Sequence, residues 1–409
     1  MTLRMTVLCH ETPFPPTHGG KADMWRRVVA MARAGAKLQI ISWDYGELAS
    51  SRSAAIAKIA EDHQYISLQR TLVFRAKHSL GLFRYPWFAC IRSPGTRLSS
   101  ITRSVRDFGP DLLFLDGWQG ALLAFHLRDA LRLPIYYRSH NIEHEYIRAQ
   151  HKHATTLRSR LVTYVAGLHL QSFERKIMDN AAEIYDISVD DMEYWKARGY
   201  QRTQYLPPLF DADFSSIPHA SLAAYDLVFF GNLHAPSNIA GVTWLVNNVM
   251  PIVWRERPTT TILIAGSNPD SQLRNQLEQI NNVKILVNPT DPNEVLAQGS
   301  VALNPVPTAG GVQIKNIDML LSGQPIITRR SSIMGLPDDV KKCFVVADSA
   351  SDFASEILGI LANPTQPCNK MMLNSYFGAE RIGGLLQDIE HNLLHNRKDV
   401  HHNPVNKNI

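Results

Sequence analysis

Residues 310–318 read Gly-Gly-Val-Gln-Ile-Lys-Asn-Ile-Asp, and four of them have the chemistry to hold an anion that carries a sugar. Gly310 and Gly311 let backbone N–H groups approach a ligand, and a helix starting behind them adds partial positive charge. Lys315 brings a cation to that helix start, and Asp318, three residues on, shares its face. A phosphate at the glycines, a cation on it and a carboxylate gripping hydroxyls further out is one reading. An ordinary strand-to-helix turn with a solvated Lys/Asp pair is the other.

The flanking sequence predicts the elements that would position these groups. The apolar run VALNPV at 301–306 is a strand leading into the turn, and a helix is expected over 313–321. Ser322-Gly323-Gln324-Pro325 breaks it before a second strand at 325–328. The same alternation runs through both halves of the chain. In the first, a strand at 5–9 leads through a Pro-rich turn to Gly19-Gly20. A helix follows with Met24, Trp25, Val28 and Met31 at apolar spacing, leaving Arg26, Arg27 and Arg33 on other faces. Strands at 38–43, 112–115 and 134–137 continue the pattern. The last runs into Arg138-Ser139-His140-Asn141-Ile142-Glu143-His144-Glu145. From residue 226 the pattern restarts, with a strand at 227–230 ending in Gly231-Asn232 and further strands at 261–265 and 283–287.

Parallel sheets gather ligands at the carboxyl ends of their strands, which makes His140 a candidate beside the central motif, and the Gly19-Gly20 pair at a helix start could belong to a nucleotide-binding loop. A surface loop without a ligand competes at Gly19-Gly20, and a structural role competes at His140. The run HNIEH is not the HExxH pattern of a helix-borne metal site, so no metal is expected. Residues 47–99 interleave basic and aromatic side chains. They read as helices packed on the sheet, with a membrane-surface or acceptor-binding element as the alternative.

The chain's 409 residues suit two domains of roughly 200 each. The expected partition is 1–208, a linker at 209–225, a second domain at 226–375, a helix at 376–395 crossing back, and a disordered tail at 396–409. A net charge of +5 without clustered basic runs argues against nucleic acid and fits an anionic ligand or an anionic membrane surface. The four cysteines are far apart, and Cys9 and Cys343, within or beside apolar runs, read as buried thiols, which points to a reducing cytoplasm. No apolar run approaches the ~18 residues of a membrane span, which leaves a cytoplasmic protein, peripheral at the membrane's inner face at most.

The central stretch resembles the donor-binding segment of retaining, family 4 nucleotide-sugar glycosyltransferases, G-x-K-x-K-x-x-E-A-M-A-x-G-x-P-V-V. Here Gln313 replaces the first lysine and Asp318 the glutamate. The Gly231–Asn238 turn, the HNxE segment and the Gly19-Gly20 loop are similar to loops that face the cleft in that family. The resemblance implies GT-B, two Rossmann-like α/β domains facing across a cleft, and a hexosyltransferase-type enzyme retaining anomeric configuration. In that scheme Gly310, Gly311, Val312 and Lys315 hold the donor diphosphate, Asp318 its ribose, and His140 the sugar. No cofactor or metal is expected. The acceptor would be a lipid-linked or surface-glycan intermediate. A GT-B epimerase or phosphorylase, or a non-catalytic sugar-nucleotide-binding protein, are the rivals.

Overall fold

A computed structural model describes residues 2–46, 49–69, 71–154, 156–210, 223–307, 311–364 and 368–402. Among the described residues, thirteen strands fall into two entirely parallel sheets, one per half. The first contains β1 (Arg4–Cys9), β2 (Lys37–Tyr45), β3 (Asp62–Leu68), β4 (Leu112–Asp116), β5 (Ile135–Ser139), β6 (Ala181–Asp186) and β7 (Thr203–Tyr205). Its order is β3-β2-β1-β4-β5-β6-β7. The second contains β8 (Tyr225–Asn232), β9 (Ile262–Ser267), β10 (Val283–Val287), β11 (Gly299–Asn304), β12 (Ile326–Thr328) and β13 (Val345–Val346), in the order β10-β9-β8-β11-β12-β13. Each order reverses direction once, between β1 and β4 and between β8 and β11. Crevices open at such reversals, outside the strands' carboxyl ends.

The inner strands are buried on both faces, as runs such as VLC, LLFLD and ILIA require. Two apolar layers cover each sheet. The Glu380–His402 helix packs Ile382, Leu385, Leu386 and Ile389 into the first sheet's layer, so it crosses back onto the first half. That helix runs to His402, past residue 396 where a disordered tail was expected. The sequence offers no Gly or Pro to stop it before Pro404. Gly378 separates it from a shorter helix, Lys370–Phe377. Most of the expected linker lies outside the described residues.

Two expectations are corrected. The 47–99 region contains an edge strand, β3, whose partly exposed DHQYISL sequence lacks an apolar run. Its helices are short, and several apolar side chains point outward. Cys343 and Cys368, 25 residues apart, are joined by a disulfide with Cα atoms 5.6 Å apart. Cys9 and Cys90 are buried free thiols.

Candidate active site

The first half contributes a buried ionic network at the carboxyl ends of β1, β4 and β5. Asp116 ends β4 and is fully buried. Its Oδ2 accepts from Arg27 Nη2 at 2.6 Å and its Oδ1 accepts from His140 Nε2 at 2.7 Å. Arg27 also donates to Asp23 at 2.9 Å, and Asp23 faces Arg138 at 3.4 Å. Burial pushes the Asp116 carboxyl up, but Arg27 and His140 outweigh it and hold the group well below the usual carboxylate range. His10 Nδ1 lies 3.1 Å from the Asp116 carbonyl, and its ring meets His140 edge-on at 5.4 Å. Burial, together with the neighbouring His140, lowers His10 to about 4. Arg26 and Arg27 were expected on faces away from the apolar one. Both are buried instead, because carboxylates from other elements meet them.

The second half contributes the helix Ile314–Ser322, which follows Gly311 and is closed by Gly323 at φ +75°. Lys315 donates from Nζ to Asn238 Oδ1 at 2.8 Å and lies 4.8 Å from the Phe229 ring centre. Desolvation alone lowers it to about 7. Asp318 is buried and forms an ion pair with Arg26 Nη2, 2.8 Å away on the other half. Gly311 sits at φ +65°, and a Cβ there would collide with Asn141 Oδ1 and press on the His140 carbonyl. The glycine therefore lets the two halves touch. Gly335 makes a second junction, donating its N–H to Asp190 Oδ2 at 2.8 Å and accepting from Val189 N at 2.8 Å.

Between the halves lies a cleft of about 980 Å³. Thr17, His18, Gly19, Trp25 and Arg26 line it from the first half, and Gly231, Asn232, Asn238, Lys315 and Asp318 from the second. Two buried atoms of its lining residues, Gln313 Nε2 and Asn293 Oδ1, have no hydrogen-bond partner among the described residues. An orphan donor and an orphan acceptor suit a polar ligand.

Of the sequence-derived candidates, Gly19, Gly231, Asn232, Lys315 and Asp318 meet in this cleft. Gly20 lies one residue into the Gly19–Arg33 helix. His140 sits behind the cleft lining, on Asp116, and reaches the second half through its carbonyl at Gly311. Val312 turns its side chain into the second half's core, leaving only its backbone to the loop. Gly310 is outside the described residues. In the loop after β8, His234 is exposed and away from the lining, and Asn238 meets Lys315. The polar lining extends beyond these candidates to Asn268 and residues 288–293. Asn268 and Asn288 both adopt φ +53°, and Asn268 N donates to Asn288 Oδ1 at 2.9 Å. Their signal was visible as two Asn-Pro pairs, each just after a strand.

Residues 224–363 match the family described as Glycosyl transferases group 1. The pneumococcal O-GlcNAc transferase GtfA, solved with UDP and GlcNAc, superposes with a TM-score of 0.65 at 12% identity, covering 96% of this chain and 99% of that one. Anabaena HepE, solved with UDP and glucose, gives a TM-score of 0.63 at 12% identity over 95% and 99%. The fold is GT-B. Domain and fold together indicate a glycosyltransferase. An uncharacterised 44.6 kDa protein in the cps region of Klebsiella pneumoniae is 21% identical over 369 residues, 88% of this chain and 91% of that one. Among the described residues of this glycosyltransferase, no group of three or more His, Cys, Asp or Glu could hold a metal ion.

Proposed function

We propose that the protein transfers a sugar from a nucleoside-diphosphate sugar to a lipid-linked or surface-glycan acceptor, retaining anomeric configuration. It would act at the inner face of the membrane, with no cofactor. The observation that carries the reading is Lys315, a desolvated lysine in the cleft with no carboxylate paired to it among the described residues. A buried cation of that kind is stabilised by an anion, and the diphosphate of a donor sugar is the anion this fold presents to it. Complexes of the similar HepE and GtfA with UDP support the donor class.

The chemistry follows from the charges. As the bond between the anomeric carbon and the diphosphate oxygen breaks, negative charge grows on the diphosphate. Lys315 and the amides of the glycine turn, Gly310 and Gly311, neutralise it. The carbon gains oxocarbenium character, and the acceptor hydroxyl oxygen bonds to it on the face the diphosphate is leaving. The hydroxyl proton passes to the departing diphosphate oxygen, so no protein nucleophile is required. Asp318 holds the ribose hydroxyls. His140, fixed by Asp116 behind the cleft lining, would approach the sugar from the first half. Closure of the halves at Gly311 keeps water from the donor.

The test incubates the protein with UDP-, GDP-, ADP- and TDP-linked hexoses and a polyprenyl-diphosphate-sugar acceptor, following nucleoside diphosphate release and the anomeric proton coupling of the product. Acceptor-dependent release with an unchanged anomeric configuration supports the reading. An inverted product overturns retention, and tight donor binding without any turnover would favour a non-catalytic binder.

A further inference from the structure

We propose that two adjoining helical segments of the first domain form a docking surface for an anionic phospholipid bilayer. The inference deepens the membrane-linked acceptor reading and rests on it for its purpose.

The first segment follows β3. Leu72, Val73, Leu80 and Phe83 are 81%, 79%, 74% and 85% exposed, whereas Phe74 and Tyr85 turn inward against the core. The second is the helix Leu157–Gly167, whose amphipathicity is inverted. Its inward positions are Ser159, Thr163, Val165 and Ala166, while Leu157, Leu161, Val162 and Tyr164 are 59–86% exposed. A soluble helix places its apolar stripe on the core; this one turns it to the outside. The short helix Trp87–Cys90 touches both the first segment and this second helix, so the two apolar groups lie on neighbouring elements.

Charge selects the occupant. Residues 63–106 contain eight lysines and arginines and no aspartate or glutamate; residues 146–173 contain four and none. Lys77 and Arg84 are exposed beside the first apolar group, and Arg158 and Arg160 beside the second. Apolar side chains flanked by cations, on an element without acids, match the interface of an anionic membrane. A second copy would set this positive face against itself. A bilayer also accepts separate projecting side chains without the complementary shape that a protein partner must supply.

The face is continuous with the candidate active site. Arg92, on the loop that leaves the first segment, donates to the His10 carbonyl at 2.9 Å. Tyr146, on the helix packed against Leu157–Gly167, lines the cleft. Docking would therefore bring the cleft to the bilayer, where a lipid-linked acceptor lies.

The experiment is flotation of the full chain with vesicles of phosphatidylcholine alone or with 30% phosphatidylglycerol, at about 0.1 and 0.5 M salt. The expected result is binding to the phosphatidylglycerol vesicles that falls at high salt. It should drop at least about tenfold in Phe83→Ser/Leu161→Ser and in Arg84→Glu/Arg158→Glu, with circular dichroism and nucleoside diphosphate binding unchanged. No flotation with anionic vesicles, or flotation that neither double variant reduces, overturns the proposal. A fall in solution mass from dimer to monomer in the variants, with vesicle binding intact, assigns the face to a second copy instead. Nucleotide binding is read separately, so a failed donor reading leaves the vesicle result interpretable.

Discussion

Arg26 on the first domain and Asp318 on the second form an ion pair of 2.8 Å across the cleft, with side chains only 5% and 7% exposed. The carboxylate proposed to hold the donor ribose therefore also ties the two domains together. Ribose hydroxyls would have to share or displace Arg26, which couples donor binding to the domain junction.

Removing one partner of a buried pair leaves the other charge desolvated, at a cost of about 3 kcal/mol. Arg26→Met is expected to lower the unfolding free energy by that order, and Arg26→Met/Asp318→Leu to recover most of it. A double-mutant cycle in denaturant reads the coupling. Additive effects would mean that the pair contributes nothing to the junction.

At Gly311 the expected phenotype is catalytic rather than global. A Cβ at its left-handed φ would strike Asn141 on the other domain while leaving both sheets intact. Gly311→Ala should lose turnover more than tenfold with little change in melting temperature. Steady-state kinetics beside thermal denaturation separates the two effects.

Glu143 gives a pH signature. Burial, then the neighbouring Glu174, raises its carboxyl to about 7 from an ordinary value of 4.5. A raised pKa means that the folded state binds this proton more tightly than the unfolded chain. Its stabilising contribution is full below about pH 4.5 and is lost as pH rises through about 7. Glu143→Gln keeps the neutral shape, so its stability relative to the native protein should climb across that window. Urea midpoints at pH 5, 6, 7 and 8 would reveal the slope, and a constant difference would refute it.

The Cys343–Cys368 bridge closes a loop of 25 residues at the edge of the second domain. Chain entropy puts its contribution at about 3 kcal/mol. A strong thiol reductant should lower the melting temperature by several degrees without altering donor affinity, since neither cysteine lines the cleft. Cys343→Ser/Cys368→Ser should melt at the same temperature with or without reductant.

The parallel strands and the glycine turn were legible in the sequence because apolar runs and Gly-Gly pairs act locally. The buried arginines were not. Helical periodicity places Arg26 and Arg27 away from the apolar face, but the carboxylates that bury them come from other elements, Asp116 lying 89 residues from Arg27. Strand β3 escaped notice because an edge strand with one wet face needs no apolar run. The lining at Asn288 and Asn293 escaped because it depends on which loops the topology brings together. Which side of the helix Leu157–Gly167 faces out depends on the helices packed against it, and only the fold shows Leu157, Leu161 and Tyr164 exposed.

The central claim is tested most directly by calorimetric titration of UDP, GDP, ADP and TDP into the native protein and Lys315→Ala, at pH 6.5 and 8.5. Burial lowers Lys315 to about 7, so a bound diphosphate must recruit the protonated form. The account predicts that one nucleotide binds, more tightly at pH 6.5, with proton uptake at pH 8.5, and at least about tenfold more weakly in Lys315→Ala. Binding that is unchanged by the substitution and flat with pH, or no binding of any of the four, would contradict it.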